Sequence, residues 1–281
     1  MAPHTLLVIN ADDLGFAPGV NRGILDAHAA GTLSSASMMV NTPAFADAAA
    51  LARERLPRLG IGLHLNLLAG RPLSLVPTLT NPHDGLFHSL GTLARRALTG
   101  QLQPSDVRRE CDAQLGALAA QGIRITHLDS HRHTHALPGV LPAVLSSARA
   151  AGVHIVRRPL DHPTARDAMA SAKMLALHGA WRSALRGIAP EDRAVLARSP
   201  NFRGIALQGT ADVERRLLEL LDQLPQGTTE IMMHPGYDDA VLASLDPYRS
   251  EREREVAALC SVAVRARLAQ GDIRLVRFDE L

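Results

Sequence analysis

Short apolar runs alternate with longer amphipathic stretches along the chain, which predicts strands that alternate with helices. The predicted strands are 5–10, 35–40, 61–66, 123–128, 153–156, 203–207, 230–233 and 273–277. The predicted helices are 19–30, 43–56, 90–98, 105–121, 138–151, 166–198 in two pieces divided near 187–190, 211–224 and 251–270. Ser105 is the expected N-cap of the 105–121 helix. The alternation gives seven or eight β/α units, typical of an α/β fold with a parallel sheet.

The number of β/α units, without a glycine-rich dinucleotide loop, favours a closed or nearly closed (β/α) barrel. A chain of 281 residues is a normal length for one such domain, so residues 1–281 are expected to form a single domain. The irregular stretch 67–104 predicts a long loop, and loops of this length are often functional. In such barrels the catalytic residues follow the carboxyl ends of the strands.

Unusual polar residues occur at several of these predicted strand ends. They are Asp12 and Asp13 after the first strand, His64 in the third, His127, Asp129, His131, His133 and His135 after the fourth, Arg157 and Arg158 after the fifth, and His234 after 230–233. Because parallel strands end at the same rim of a barrel, these side chains are expected to lie close together.

The adjacent carboxylates Asp12 and Asp13 are an unusual strand ending. Neighbouring side chains can take two different roles where the strand breaks into a loop, which Gly15 allows. One carboxylate can then bind a cation while the other accepts a proton from water. The alternative interpretation is a helix N-cap beside a solvated aspartate.

A single histidine such as His64 within an apolar strand is more typical of a hydrogen-bonded core residue than of a ligand. The run 126–135 holds four imidazoles and a carboxylate, which favours metal ligation over a surface histidine tract. Two histidines and one carboxylate leave positions on the ion for water and a substrate oxygen. The ion would act as a Lewis acid, and both Zn²⁺ and Mg²⁺ stay open.

The remaining polar candidates have roles that the sequence leaves open. His234 is the candidate acid that protonates a leaving group, and its alternative role is a buried strand-end histidine. Arg157 could orient a catalytic carboxylate, bind substrate or form a surface ion pair. The charged run 251–255 is interpreted as a solvated helix face.

Composition argues against several classes of protein. The formal charge is +2, the basic residues are dispersed and aromatic residues make up 3%, so a nucleic-acid partner is not expected. No run approaches a membrane span, and the first ten residues lack the basic start of a signal peptide. Cys111 and Cys260 are expected to be buried thiols of a reducing compartment, so we expect a cytoplasmic protein. A homodimer is possible, because dimers are the commonest closed assembly.

Four motifs together resemble the YdjC-like carbohydrate deacetylases. They are VINADDLG at 8–15, GLHLN at 62–66, THLDSHRHTH at 126–135 and MHPGY at 233–237. The resemblance implies a distorted (β/α) barrel related to the NodB-type polysaccharide deacetylases. It also implies removal of acetyl groups from N-acetylated sugars with one divalent cation.

The resemblance also implies a role for each matching residue. Asp13, His64 and His131 match the metal ligands, Asp12 matches the catalytic base, and His234 matches the acid. Arg157, in the Arg-x-Pro element 157–159, matches the arginine that holds the base.

The segments 227–237 and 18–23 resemble the hopanoid-biosynthesis-associated (HpnK) branch more than the chitobiose branch. The implied substrate is an N-acetylglucosaminyl hopanoid, with chitooligosaccharides as the alternative. Two other hypotheses for the function use the same residues. One is a metal-dependent phosphoesterase, and the other is a non-catalytic sugar-binding barrel. Specificity is expected to lie in 67–104 and 160–203.

Overall fold

The computed structural model describes residues 5–162 and 167–281. Its centre is a seven-stranded sheet of parallel strands. The strands are β1 (Thr5–Leu14), β2 (Ser35–Met38), β3 (Gly60–Leu65), β4 (Ile125–Ser130), β5 (Asn201–Arg203), β6 (Thr228–Met233) and β7 (Ile273–Leu275). The first helices are α1 (Pro18–Ala29), α2 (Phe45–Glu54), α3 (Leu90–Leu98), α4 (Pro104–Ala119), α5 (Leu141–Ala150) and α6 (Ala168–Ala184). The later ones are α7 (Arg193–Ala197), α8 (Val213–Asp222), α9 (Ala240–Leu245), α10 (Ser250–Cys260) and α11 (Val262–Leu268).

Strand β1 lies at the centre of the sheet, whose order is β4-β3-β2-β1-β6-β5 with β7 also paired to β1. One edge of β1 pairs with β6 from Leu6 to Ala11. The other edge pairs first with β7, over Thr5–Leu7, and then with β2 from Asn10 onward. All strands run parallel, so their carboxyl ends meet at one edge of the sheet. This arrangement confirms the predicted α/β class.

The sheet is curled like half a barrel, so the predicted closed or nearly closed (β/α) barrel of seven or eight units is only partly matched. The predicted strand 153–156 is reduced to one parallel bridge between Val156 and Leu128. This segment is short, and Pro159 soon follows it without an N–H to continue a ladder. The predicted strand 203–207 is instead β5, which ends at Arg203.

Several predicted helix boundaries were wrong. Helix α4 begins at Pro104 with Gln103 as its N-cap residue, so Ser105 is not the N-cap. The predicted helix 251–270 divides into α10 and α11 at Ser261. The backbone of Ser261 is extended, and its hydroxyl accepts a hydrogen bond from the N–H of Val264, so Ser261 is the N-cap of α11. The predicted helix 166–198 becomes α6 and α7 with short 3₁₀ turns between them, and Arg166 lies outside the described residues.

The long segment 67–104 is ordered by acidic side chains of α4. Glu110 accepts hydrogen bonds from the backbone of Leu73 and Ser74, and Asp106 accepts two from Thr78. Both carboxylates are buried. The segment, with α3 at its end, is thus fixed against the sheet edge where the strands terminate. Within the described ranges, none of the helices is both long and apolar enough to cross a membrane.

Candidate active site

The two carboxylates near the end of β1, Asp12 and Asp13, point apart because the strand is irregular there. The pairing of β1 with β2 loses register between Ala11 and Leu14, and Asp13 has a left-handed backbone with φ 72°. A non-glycine residue rarely adopts this conformation. The break therefore lies at Asp13 itself, two residues before the predicted one at Gly15. Asp12 and Asp13 consequently contact different sets of side chains.

Asp13 meets the two histidines that the sequence pointed to. Its Oδ1 atom lies 2.9 Å from Nδ1 of His131 and 3.2 Å from Nε2 of His64. One candidate ligand atom from each of the three residues lies within 4.8 Å of the others, and all three side chains are buried. Asp13, His64 and His131 therefore form one compact group at the carboxyl ends of β1, β3 and β4.

The second ring nitrogen of His64 is fixed by Asp129. Nδ1 of His64 donates to Oδ1 of Asp129 over 2.7 Å. Metal-binding histidines usually have such a partner on their other nitrogen, because it fixes the tautomer and the ring orientation. His64 thus has one nitrogen held by Asp129 and the other directed at Asp13.

Asp12 is paired with a buried arginine. Nη1 and Nη2 of Arg157 each donate to one oxygen of Asp12 over 2.7 Å. The same guanidinium contacts Asp129 at 2.6 Å and Glu230 at 2.7 Å, so it serves three carboxylates. Asn10 also donates to Asp12, over 2.8 Å. Arg157 is therefore a buried ion-pair partner, and the alternative of a surface pair is wrong.

His234 lies on the other side of Asp12, at the end of β6. Its Nε2 atom is 4.0 Å from Oδ2 of Asp12. Its backbone N–H donates to Glu255 over 2.5 Å, and Tyr248 donates to the same carboxylate. The imidazole is thus placed beside Asp12.

The other histidines of the run 126–135 have different surroundings. His127 bonds to Ser37 at 3.0 Å, and Nε2 of His135 donates to the carbonyl of Arg157 over 3.0 Å. The Nδ1 atom of His133 is buried and has no hydrogen-bond partner in the part of the chain that is described. Of the four imidazoles in the run, His131 is the one that meets Asp13.

Charged neighbours shift the pKa values of this group strongly. Burial raises the pKa of Asp13, but His131 and Arg252 outweigh it and hold that pKa well below its usual value. Burial alone would lower the pKa of His64, yet Asp129 and Asp12 raise it to about 10. Burial lowers the pKa of His234 to about 4. The site therefore holds an ionised Asp13 beside a neutral His234.

The donor set fits a divalent cation. One carboxylate and two imidazoles suit Zn²⁺, and a carboxylate with water ligands suits Mg²⁺. A second possible group contains Asp12, His64 and Asp129. The guanidinium of Arg157 already lies between those two carboxylates, so a cation there would meet a fixed positive charge. Asp13, His64 and His131 are therefore the better candidate for a cation site.

The site lies at the bottom of a cleft of about 600 Å³. Its walls include apolar side chains of α3 and α6, together with Lys173, which donates to Gln208 over 2.7 Å. The apolar wall residues from these helices are Leu90, Ala94, Ala176, Leu177 and Ala180. The two segments expected to determine specificity therefore both reach the cleft.

A family model described as YdjC-like protein matches residues 6–270. The chain belongs to the YdjC-like family. It is 36% identical to the carbohydrate deacetylase of Geobacillus stearothermophilus, with 97% of this chain and 96% of that protein covered. It is 32% identical to the human carbohydrate deacetylase, with 99% and 92% covered. The predicted family is confirmed.

A solved structure supports the fold of this YdjC-like protein. A candidate cellobiose-phosphate cleavage protein from Enterococcus faecalis V583 superposes with a TM-score of 0.77 at 26% identity. The superposition covers 99% of this chain and 98% of that one. The similarity extends over nearly the whole YdjC-like chain.

Two charged residues of this YdjC-like site were missed by sequence reasoning. Arg252, on α10, is 1% exposed, and its Nη2 atom donates to Oδ2 of Asp13 over 2.7 Å. Glu255 is buried too, so the prediction of a solvated face for 251–255 was wrong at these positions. Arg252 and Glu255 share the helix face of Val256 and Leu259, and charges within that apolar stripe were the available signal.

Proposed function

We propose that this chain is a cation-dependent amide hydrolase that removes the N-acetyl group of an amino sugar. The convergence of Asp13, His64 and His131 beside the arginine-held Asp12 carries the proposal. The relatives named carbohydrate deacetylases support the same reaction. A carboxylate with two imidazoles at the bottom of a cleft is suited to hydrolysis of an acyl group.

Asp12 is the proposed base. A divalent cation held by Asp13, His64 and His131 would supply Lewis acidity at the acyl group. Asp12 accepts the proton of the attacking water, and Arg157 keeps the carboxylate in one orientation through two hydrogen bonds. A two-point pair of this kind fixes geometry better than a single contact.

His234 is the proposed acid for the departing amine. Burial keeps it neutral in the free site, so it needs a proton before it can act. Asp12, 4.0 Å away, is a carboxylate placed to supply that proton. The proton taken from water would then be delivered to the amine nitrogen as the C–N bond breaks.

The cleft supports an amphipathic acceptor. Its apolar walls from α3 and α6 could contact a hydrophobic group attached to the sugar, while Lys173 and Gln208 offer polar contacts. Apolar lining with a few polar groups is typical of sites for such ligands. We therefore favour an N-acetylglucosaminyl hopanoid over a chitooligosaccharide as the substrate.

The test is release of acetate from hopanoid-linked N-acetylglucosamine and from chitobiose in parallel, with metal content measured by elemental analysis. We expect acetate release that is lost after chelation and restored by Zn²⁺ or Mg²⁺. Phosphate release from a phosphoester panel without acetate release would identify a phosphoesterase instead. Bound metal without turnover on any substrate would favour a sugar-binding barrel.

A further inference from the structure

Asp13 has two oxygens in different surroundings. Oδ1 faces His64 and His131, whereas Oδ2 accepts a hydrogen bond from Nη2 of Arg252 over 2.7 Å. Both partners of this ion pair are 1% exposed. A carboxylate held at one oxygen cannot turn freely to present both oxygens to the same side.

The contact of Arg252 differs from that of the other buried arginine. The two terminal amino groups of Arg157 each donate a hydrogen bond to Asp12, so both oxygens of Asp12 accept a bond from this guanidinium. Arg252 gives one amino group to one oxygen of Asp13, and it gives the same group to Asp246 over 3.0 Å. Asp12 is therefore engaged at both oxygens, and Asp13 keeps Oδ1 for its imidazole neighbours.

Other contacts fix the position of Arg252. Its Nε atom donates to the carbonyl of Tyr248 over 2.9 Å, and its guanidinium lies 5.4 Å from the Tyr248 ring centre and 6.0 Å from that of Phe16. Its Nη1 atom is buried without a hydrogen-bond partner within the described residues. A buried donor without a partner is unfavourable. The position of Arg252 therefore leaves one of its own donors unsatisfied. This indicates that the contact of Arg252 with Asp13 is the reason for its position.

We propose that Arg252 is a positioning residue that restricts Asp13 to one-oxygen binding of the cation. The inference rests on the proposed cation site. By engaging Oδ2, Arg252 keeps one coordination position available for substrate or water. Its positive charge also opposes the incoming cation, so Arg252 lowers affinity while it preserves an open coordination sphere.

The test is titration of the metal-free protein with Co²⁺, followed by visible absorption. In the Arg252→Gln variant, we expect Co²⁺ to bind about tenfold more tightly, because a positive charge beside the cation site is removed. We also expect weaker absorption bands, because a second oxygen from Asp13 raises the coordination number. Turnover should fall. Arg254→Gln is the matched control, since Arg254 lies two residues on and contacts Glu251 at 3.8 Å.

Two further variants keep the test decisive if Arg252→Gln does not fold, which a melting curve reports. Arg252→Lys keeps the charge and should retain Co²⁺ affinity near that of the wild type. Asp246→Asn loosens the second anchor of Arg252 and should shift the spectrum in the direction expected for Arg252→Gln. Unchanged or weaker Co²⁺ binding in a folded Arg252→Gln variant, with an unchanged spectrum, overturns the proposal.

The titration needs no substrate, so it separates this inference from the proposed function. Failure of the wild type to bind Co²⁺ would overturn the cation site itself, and with it this role of Arg252. Binding by the wild type, with no effect of Arg252→Gln, would overturn only the role of Arg252.

Discussion

Arg157 and Asp12 form a two-point ion pair in which each amino group of the guanidinium contacts one carboxylate oxygen over 2.7 Å. Asp13, the next residue, is held by a different arginine and at one oxygen only. Two adjacent carboxylates of identical chemistry thereby acquire different surroundings. This difference makes their proposed roles separable by experiment.

Substitution of Asp12 and substitution of Asp13 should affect different properties of the protein. Asp12→Asn is expected to lower turnover by about 10²–10⁴-fold while bound metal is retained, because asparagine cannot accept the proton. Asp13→Asn is expected to lose the metal together with activity. Acetate release and elemental analysis of both variants provide the measurement.

Asp47→Asn is the control for the Asp12→Asn and Asp13→Asn variants, because Asp47 is exposed on α2. Retention of metal by Asp13→Asn together with its loss from Asp12→Asn would mean that the two roles are exchanged. Full turnover of Asp12→Asn would remove Asp12 from the reaction.

Asp129 should matter for metal affinity although it is not a proposed ligand. It accepts the hydrogen bond from Nδ1 of His64, so Asp129→Asn would weaken control of that ring. We expect Zn²⁺ to bind about 10–100-fold more weakly, as for other partners of metal-binding histidines. Isothermal titration calorimetry measures this, with the exposed Asp112→Asn on α4 as control. Equal affinities of the two variants would argue against the role of Asp129.

Glu255 should make stability depend on pH. Burial raises its pKa from 4.5 to about 7, against the opposing hydrogen bonds from His234 and Tyr248. The folded state therefore holds this proton more tightly than the unfolded state. The resulting stabilisation is complete below about pH 4.5 and is lost as the pH rises through about 7.

Calorimetric melting of Glu255→Gln and wild type between these pH values tests the effect. As the pH rises over this range, the melting temperature of the variant should fall less than that of the wild type, because glutamine does not titrate. Glu230 has a similarly raised pKa of about 7, so part of the pH dependence should persist. Parallel profiles of the two proteins would show that Glu255 does not contribute.

Two glycines offer a matched pair for stability. A Cβ atom at Gly62 would overlap the ring of His127, which stacks on Phe278 with 3.9 Å between ring centres. Gly62→Ala should destabilise the protein by about 1–3 kcal/mol through overpacking. Gly116, exposed near the C-terminal end of α4, has open space, so Gly116→Ala should stabilise by about 0.5–1 kcal/mol. Denaturant unfolding compares the two, and a stabilised Gly62→Ala variant would contradict the packing.

Sequence patterns could predict the features that depend on the strands. Asp13, His64 and His131 lie at the carboxyl ends of different strands, and the shared rim of a parallel sheet brings them together. The apolar runs also indicated the α/β class. Such patterns report local periodicity, which is set by burial of each segment.

Features that depend on distant segments were not accessible in this way. Arg252 comes from a helix near the end of the chain, and its charged neighbours resemble a solvated surface. The break of the strand at Asp13 depends on its pairing with β2, which no local pattern reports. The partial pairing of Val156 likewise depends on how the curled sheet ends.

Among the described residues, the non-glycine positions with left-handed backbone are Asp13, Arg132 and His133, and all three line the cleft. Each such conformation costs of order 1–3 kcal/mol, which the rest of the fold must offset. The least relaxed backbone of the molecule is thus concentrated where chemistry is proposed. Selection for thermal stability alone would be expected to replace these three residues first. The more stable variants would be slower catalysts.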